Sequence, residues 1–262
     1  MLLGCIVKSA AQAESAARLP LDYLELKGDM LCVDAAQWPA LSARLSSIAL
    51  PIRAMTSPLP RRYGCRVVGD DADPERALGV FREMIDKAAG LGVRVVVLGS
   101  GQARSYPDTY DPARARMQFL DFALAAHDYC AERGIRLTLE PLNRTETNFL
   151  NSCAETRALI EGTPLTIAVD CFHVVSEGLS ITDELAAATG RVGHAHTSSL
   201  PRGTGDYRPG TQREFVAALA SAGYAGRLTI EEDFADFDCD APVAVDVFRA
   251  VLAAGVPAPA AD

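Results

Sequence analysis

The sequence predicts a single TIM (β/α)8 barrel, and three observations lead to that fold class. Short segments rich in Val, Ile and Leu alternate with longer segments of helical period, which is typical of repeated β-α units and a parallel sheet. The alternation occurs eight times, in a chain of 262 residues. This number and this length match a TIM barrel, whereas a doubly wound open sheet more usually has about five or six strands.

The predicted strands are apolar segments of five to eight residues, and each is followed by turn or helix signals. They cover residues 2–7, 23–27, 52–56, 94–99, 136–142, 165–172, 191–197 and 227–232. We interpret the first segment as a strand, because no charged region and no apolar region of about 7 to 15 residues precede Cys5 as they would in a signal peptide.

The predicted helices lie between the strands and carry recognisable caps. They include residues 74–91, 111–133, 212–222 and 241–254. Several begin at Asp, Ser or Pro and end at Gly, as helix termini require. We predict one barrel domain over residues 1–262, in which the Pro- and Ala-rich residues 256–262 form a frayed tail.

Composition and charge exclude several classes of protein. With 25 basic and 34 acidic residues, the net charge is −9, which argues against a nucleic-acid partner because phosphate binding depends on Lys and Arg. Seven cysteines without a CxxC motif indicate free thiols in a reducing compartment. No apolar run approaches the roughly 18 residues of a membrane span. We therefore expect a cytoplasmic protein with no membrane partner.

Four consecutive predicted strands end with a side chain that can bind a metal ion. Glu140, Asp170, His196 and Glu231 follow apolar residues of strands five to eight. Burial of an unpaired carboxylate is costly, and adjacent strands lie about 4.8 Å apart, so these groups can converge on one cation at the carboxyl end of the barrel. A lone carboxylate there would more often be a salt-bridge partner, but four on adjacent strands favour ligation.

The donor set predicts one divalent metal ion. Three carboxylates and one imidazole suit Mn²⁺, Mg²⁺ or Co²⁺, and Zn²⁺ is compatible with them, since the metal taken up depends on availability as well as affinity. We favour Mn²⁺. A nicotinamide cofactor is not supported, because the segment Gly99-Ser100-Gly101 lacks the third Gly of a dinucleotide fingerprint.

The motifs of strands five to eight resemble the sugar phosphate isomerase/epimerase family of xylose isomerase-like TIM barrels, and most closely the ketose 3-epimerases of the tagatose/psicose type. The motifs are residues 139–149, Asp170-Cys171-Phe172-His173, residues 193–196 followed six residues later by Arg202, and Ile230-Glu231. The resemblance implies one metal bound by Glu140, Asp170, His196 and Glu231. It also implies that Glu146, His173 and Arg202 hold substrate oxygens.

The chain departs from the epimerases on the substrate side of the predicted pocket. Their last-strand Glu is usually followed by Pro, whereas Glu231 is followed by Glu232, and residues 201–210 are particular to this chain. The substrate class therefore stays broad: a ketose, a sugar phosphate, or a related polyol or hydroxy-keto acid. The resemblance also implies a homodimer or homotetramer.

The expected reaction is proton abstraction beside a metal-bound carbonyl, through an enediolate. Glu140 and Glu231 would be the acid/base pair, one removing the proton and the other returning it. His173 and Arg202 would stabilise the developing charge. We interpret His194, which shares a strand face with His196, as packed beside the ligand rather than as a ligand itself.

Three other functions remain as alternatives. A metal-dependent lyase of the inosose dehydratase type begins with the same proton abstraction. An AP endonuclease would need additional His ligands after strands three and four, where the chain has Met55-Thr56-Ser57 and Leu98-Gly99-Ser100. A non-catalytic sugar-binding protein would not require two bases beside the metal.

Overall fold

Eight parallel strands close into a barrel in the computed structural model, which describes residues 1–254. The strands are β1 Leu2–Val7, β2 Tyr23–Lys27, β3 Ile52–Thr56, β4 Val95–Leu98, β5 Arg136–Leu139, β6 Thr166–Asp170, β7 Val192–Thr197 and β8 Arg227–Ile230. Each strand pairs with its neighbours in the chain, and β1 pairs with β8. The TIM barrel prediction is thus confirmed, whereas the predicted tail, 256–262, lies outside the described residues.

Helices cover the outside of the barrel. Within residues 1–254 they are α1 Ala10–Ala16, α2 Trp38–Ser46, α3 Pro74–Gly90, α4 Gly101–Arg104, α5 Pro112–Ala131, α6 Cys153–Leu159, α7 Cys171–Ser176, α8 Ile181–Ala187, α9 Pro209–Ser221 and α10 Phe237–Ala254. Two 3₁₀ turns, Gly28–Leu31 and Arg61–Tyr63, follow β2 and β3. Large aromatic side chains fill the layer between helices; for example, the rings of Phe81 and Phe122 meet edge to face, with centroids 6.1 Å apart.

Four strands, β4, β5, β6 and β8, end earlier than the sequence predicts, and in β5 and β8 this places both glutamates directly at the barrel mouth. β5 ends at Leu139 rather than at residue 142, since Pro141 has no N–H for the strand ladder. β8 ends at Ile230 rather than at residue 232. Glu140 and Glu231 are the first residues after these strands, and their backbone N–H groups still bond to the neighbouring strands, over 3.2 and 2.8 Å.

Two helices begin earlier than the sequence predicts. α9 begins at Pro209 rather than at residue 212, with the proline in the first turn, where its missing N–H has no consequence. α10 begins at Phe237 rather than at residue 241, because the carboxylate of Asp236 accepts hydrogen bonds from the N–H groups of Asp238 and Cys239.

All seven cysteines are free thiols; six are buried, and Cys239 is exposed. Among residues 1–254, no helix combines the length and apolar character that a membrane span requires.

Candidate active site

The four predicted metal-binding residues meet at the carboxyl end of the barrel. Glu140 follows β5, Asp170 ends β6, His196 lies in β7 and Glu231 follows β8. All four side chains are buried, and each offers one ligand atom within 4.8 Å of the others. Barrel closure brings the four strand ends to a common axis, so residues up to 91 positions apart in the chain can reach one cation.

His196 lies at the centre of this cluster and contacts carboxylates through both ring nitrogens. Its Nδ1 lies 3.1 Å from Glu140 Oε1 and 3.0 Å from Glu231 Oε2. Its Nε2 lies 3.0 Å from Glu25 Oε1 on the opposite side of the ring. Nδ1 is therefore the atom that faces the cluster and could bind a metal ion, while Nε2 is held by Glu25.

The cluster requires positive charge at its centre. Burial opposes a charged imidazole, but the charges of Glu25 and Glu231 and the hydrogen bonds that the ring donates to Glu140 and Glu231 raise the pKa of His196 well above its usual value. Three buried carboxylates that converge on one imidazole nitrogen are chemically suited to a hard divalent cation. The residues present thus fit the metal that the sequence predicts, and Glu140, Asp170, His196 and Glu231 would hold it.

Arg202 lies over the cluster, as the sequence predicts for a substrate-binding residue. Its Nη2 donates a hydrogen bond to Asp170 Oδ2 and lies 3.5 Å from Glu231 Oε2. The guanidinium carbon lies 4.5 Å above the ring of Phe172, which covers one face of the cation. Arg202 is therefore a fixed, largely buried cation rather than a solvated loop charge.

His173 and Glu146 flank the same space. His173 Nδ1 accepts a hydrogen bond from the backbone N–H of Asn143 over 3.2 Å, so we assign the ring proton to Nε2. Nε2 lies 3.7 Å from Asp170 Oδ2 and 4.0 Å from Glu146 Oε1. The structure therefore brings all seven predicted site residues together and leaves an N–H donor of His173 directed at the cluster.

Lys27 is part of the site, although the sequence analysis did not single it out. It ends β2, and its ammonium lies 3.1 Å from Glu231 Oε1. Burial opposes ionisation of Glu231, but the charges of Arg202 and Lys27 outweigh it and hold the pKa of this carboxyl well below its usual range. Glu231 is thus held as a carboxylate between the two cations Lys27 and Arg202.

Glu25 and His194 form a buried network beneath the cluster. Glu25 Oε2 lies 2.8 Å from His194 Nε2 and accepts a hydrogen bond from Thr229 Oγ1 over 2.6 Å. Burial opposes ionisation of Glu25, but His196 and His194 lower the pKa of its carboxyl. The sequence-based interpretation of His194 as a group packed beside the ligand agrees with this geometry.

We expect Glu25→Gln to lower the affinity for divalent metal by about 10–100-fold, as is usual when the hydrogen-bond partner of a metal-binding His is lost. The amide keeps the shape of the side chain but cannot accept from both histidines. Isothermal titration with Mn²⁺ would measure the effect. Tyr23→Phe is the matched control, since Tyr23 bonds to Thr229 over 2.6 Å rather than to Glu25; equal affinities in the two variants would contradict the prediction.

The segment Gly99-Ser100-Gly101 shapes the wall around two site glutamates. A Cβ added at Gly99 would overlap Oε2 of Glu140, and one at Gly101 would lie 2.8 Å from the carbonyl oxygen of Glu146. These glycines are therefore needed for close approach, not for binding a dinucleotide. Arg104, fully buried at the end of the same segment, donates a hydrogen bond to the backbone carbonyl of Glu140 over 2.7 Å.

We expect Gly99→Ala to reduce activity and metal affinity by about tenfold or more, because the added methyl group displaces the Glu140 carboxylate from His196. Gly79→Ala is the control: Gly79 lies in α3 with no atom near its missing Cβ, so alanine there should stabilise the fold by roughly 1 kcal/mol. Kinetics and metal titration of both variants test the prediction, and unchanged metal binding in Gly99→Ala would refute it.

A polar cavity of about 400 Å³ adjoins the cluster. Lys27 and Glu146, which contact Glu231 and His173, lie in its wall together with Asp29, Ser57, Gln102 and Asp233. Carboxylates, hydroxyls, an amide and an ammonium thus provide both donors and acceptors. Such a wall suits a small molecule with many hydroxyl groups.

Together, the barrel and the buried four-residue cluster define a TIM barrel with a metal-capable centre at the carboxyl end of its strands. The sequence profile described as xylose isomerase-like TIM barrel matches residues 14–248. The chain belongs to this family.

Similar proteins are consistent with this assignment. An L-ribulose 3-epimerase from Mesorhizobium japonicum is 30% identical over 174 residues, which cover 62% of this chain and 56% of that protein. A D-psicose 3-epimerase from Agrobacterium fabrum is 32% identical over 160 residues, covering 58% and 54%. The chain thus spans about half the length of the curated relatives it matches. A crystal structure of a D-psicose 3-epimerase in the presence of D-fructose superposes with a TM-score of 0.79 at 21% identity, over 98% of this chain and 100% of that one, and shares the fold.

Proposed function

We propose that the protein is a metal-dependent epimerase or isomerase of a ketose or a related polyol. The observation that carries the proposal is the pair Glu140 and Glu231, whose carboxylates both reach Nδ1 of His196 from strands on either side of the cluster. A site that only bound a sugar would not need two such bases. The relatives that match by sequence are named as epimerases of ribulose and psicose, which are ketoses.

A divalent cation, for which we favour Mn²⁺, would polarise a carbonyl and acidify the adjoining C–H when held by the four residues. Glu231, kept ionised by Lys27 and Arg202, is then the base for one face of the substrate. Glu140 serves the other face and returns a proton there in an epimerisation. Since each glutamate acts as acid in one direction and as base in the other, both are needed for turnover.

The remaining groups orient the substrate and stabilise charge. The Nε2–H of His173 and the guanidinium of Arg202 are positioned to donate to oxygens that become negative during proton transfer. Glu146 and Lys27, in the cavity wall, can accept from and donate to hydroxyl groups farther along the chain of a sugar. These roles are part of the proposal.

Deuterium uptake from D₂O into the substrate tests the proposed function. The enzyme is loaded with Mn²⁺ and incubated with D-psicose, L-ribulose, D-tagatose, hydroxypyruvate and inososes, and the metal is chelated before analysis; a parallel series contains chelator throughout. We expect metal-dependent uptake at one carbon of a ketose, with a product of unchanged backbone mass. Loss of water from the product would identify a lyase of the inosose dehydratase type instead. Sugar binding without uptake would contradict the proposal.

A further inference from the structure

Glu232 is a buried carboxylate that faces away from the metal-capable cluster. It follows Glu231 in the chain and is 3% exposed. Its Oε2 accepts a hydrogen bond from the backbone N–H of Ser199 over 2.7 Å, and its Oε1 accepts from the N–H groups of Gly203 and, over 2.9 Å, Asp233. Among residues 1–254 no Lys or Arg forms an ion pair with it, so backbone N–H groups balance its charge.

Two of the N–H groups that bond to Glu232 lie on either side of Arg202 in the chain. Ser199 and Gly203 begin and end a turn that contains Arg202, and one carboxylate joins both ends of that turn. The turn has further internal bonds: Ser199 Oγ donates to the carbonyl of Pro201 over 2.9 Å, and Thr204 N–H donates to Ser199 Oγ over 3.1 Å. The two ends of the turn are thus fixed to Glu232, the second residue after β8.

The position of the Arg202 side chain depends on where the two ends of this turn are held. Its guanidinium must span from the turn to Asp170 and Glu231, and 13% of its side chain is exposed. The ring of Phe172 fixes the guanidinium plane but not the backbone from which the side chain starts. A shift of about 1 Å at the turn would move the donor off the oxygens that it serves.

We propose that Glu232 is a positioning residue for Arg202: its carboxylate joins the two ends of the Arg202 turn and so holds the guanidinium over the substrate. The inference rests on the proposed function, in which Arg202 stabilises the developing charge. The negative charge is essential, since both oxygens must accept.

Glu232→Gln is the test, because the amide has the same shape but replaces one acceptor oxygen by a donor that would face an N–H group. We compare it with Arg202→Ala, with the double variant and with Glu184→Gln. Glu184 is a matched control: it is 7% exposed and accepts the backbone N–H of Cys153 over 2.5 Å, with no hydrogen bond to the Arg202 turn. Mn²⁺ content is measured for all four.

Two readouts decide the question. Hydrogen exchange of the peptide containing residues 198–205 should accelerate about tenfold or more in Glu232→Gln, while α9 stays protected. The kcat for deuterium uptake should fall about tenfold in the wild-type background and no more than about twofold in the Arg202→Ala background. Glu184→Gln should show neither change.

Unchanged exchange in residues 198–205 would overturn the inference, as would an equal loss of kcat in both backgrounds. The proposed function can fail separately. If the wild-type protein shows no deuterium uptake with any substrate, that proposal is wrong, and the hydrogen-exchange result alone decides whether Glu232 holds the turn.

Discussion

Glu231→Gln is expected to reduce deuterium uptake into substrate by about 10³-fold, within the range of about 10²–10⁴ that a positioned acid/base group contributes. Glu231 contacts Lys27 over 3.1 Å and His196 over 3.0 Å, so a glutamine of the same shape preserves the packing and removes the proton acceptor. The measurement is the rate of uptake at saturating Mn²⁺, with bound metal determined in the same sample.

Glu140→Gln provides the comparison. If the two glutamates serve opposite faces, the two variants should differ in which epimer of the substrate still exchanges its hydrogen. Full uptake by Glu231→Gln with metal bound would show that Glu231 is not the base. If Glu231→Gln no longer binds metal, the lost rate would instead reflect the role of Glu231 as a ligand. The metal content is therefore measured together with every rate.

The strand pattern and the cluster were largely predictable from the sequence. β1, β2 and β3 have the predicted bounds, because each is a short apolar run between turn residues. Glu140 and Glu231 were predicted inside strands and lie one residue beyond them. The apolar pattern does not mark that boundary, since it depends on where the backbone ladder of the barrel ends.

The contacts that sequence analysis missed join distant parts of the chain. Lys27 meets Glu231 across 204 positions, and Glu25 meets His196 across 171. Viewed alone, Lys27 is an ordinary strand end and Glu25 is a single charged residue in the middle of the same strand. Their partners follow from barrel closure, which sets β1 between β2 and β8, and from the inward direction of alternate side chains, neither of which a local motif records.

The roles of Gly99 and Glu232 also depend on contacts in the folded protein, here with residues that are closer in the chain. Gly-Ser-Gly signals a turn, but only the position of the Glu140 carboxylate explains why a methyl group cannot be added at Gly99. Glu232 was noted as a departure from related epimerases, and its function as an acceptor for three backbone N–H groups depends on the fold of the turn after β7.

Asp170→Asn is expected to lower metal affinity by at least about 100-fold, exceeding the 10–100-fold typical of residues that only support a ligand. Asp170 has two functions that this change separates. Its Oδ1 caps α7 by accepting the N–H of Phe172 over 2.8 Å, and asparagine caps a helix as well as aspartate does. Its Oδ2 faces the cluster and Arg202, where the substitution removes a negative charge.

The Tm with and without Mn²⁺, compared between the wild type and Asp170→Asn, measures the loss of metal binding. Metal that binds only the folded protein stabilises it by about 2.7 kcal/mol at 100 times its Kd, so Mn²⁺ should raise the Tm of the wild type and not that of Asp170→Asn. Asp111→Asn is the matched control, because Asp111 caps α5 through the same contact two residues ahead, over 2.9 Å, away from the cluster. A Tm increase in Asp170→Asn equal to that of Asp111→Asn would exclude Asp170 as a ligand. If both variants have a lower Tm than the wild type in the absence of metal, that decrease would be due to the altered helix cap.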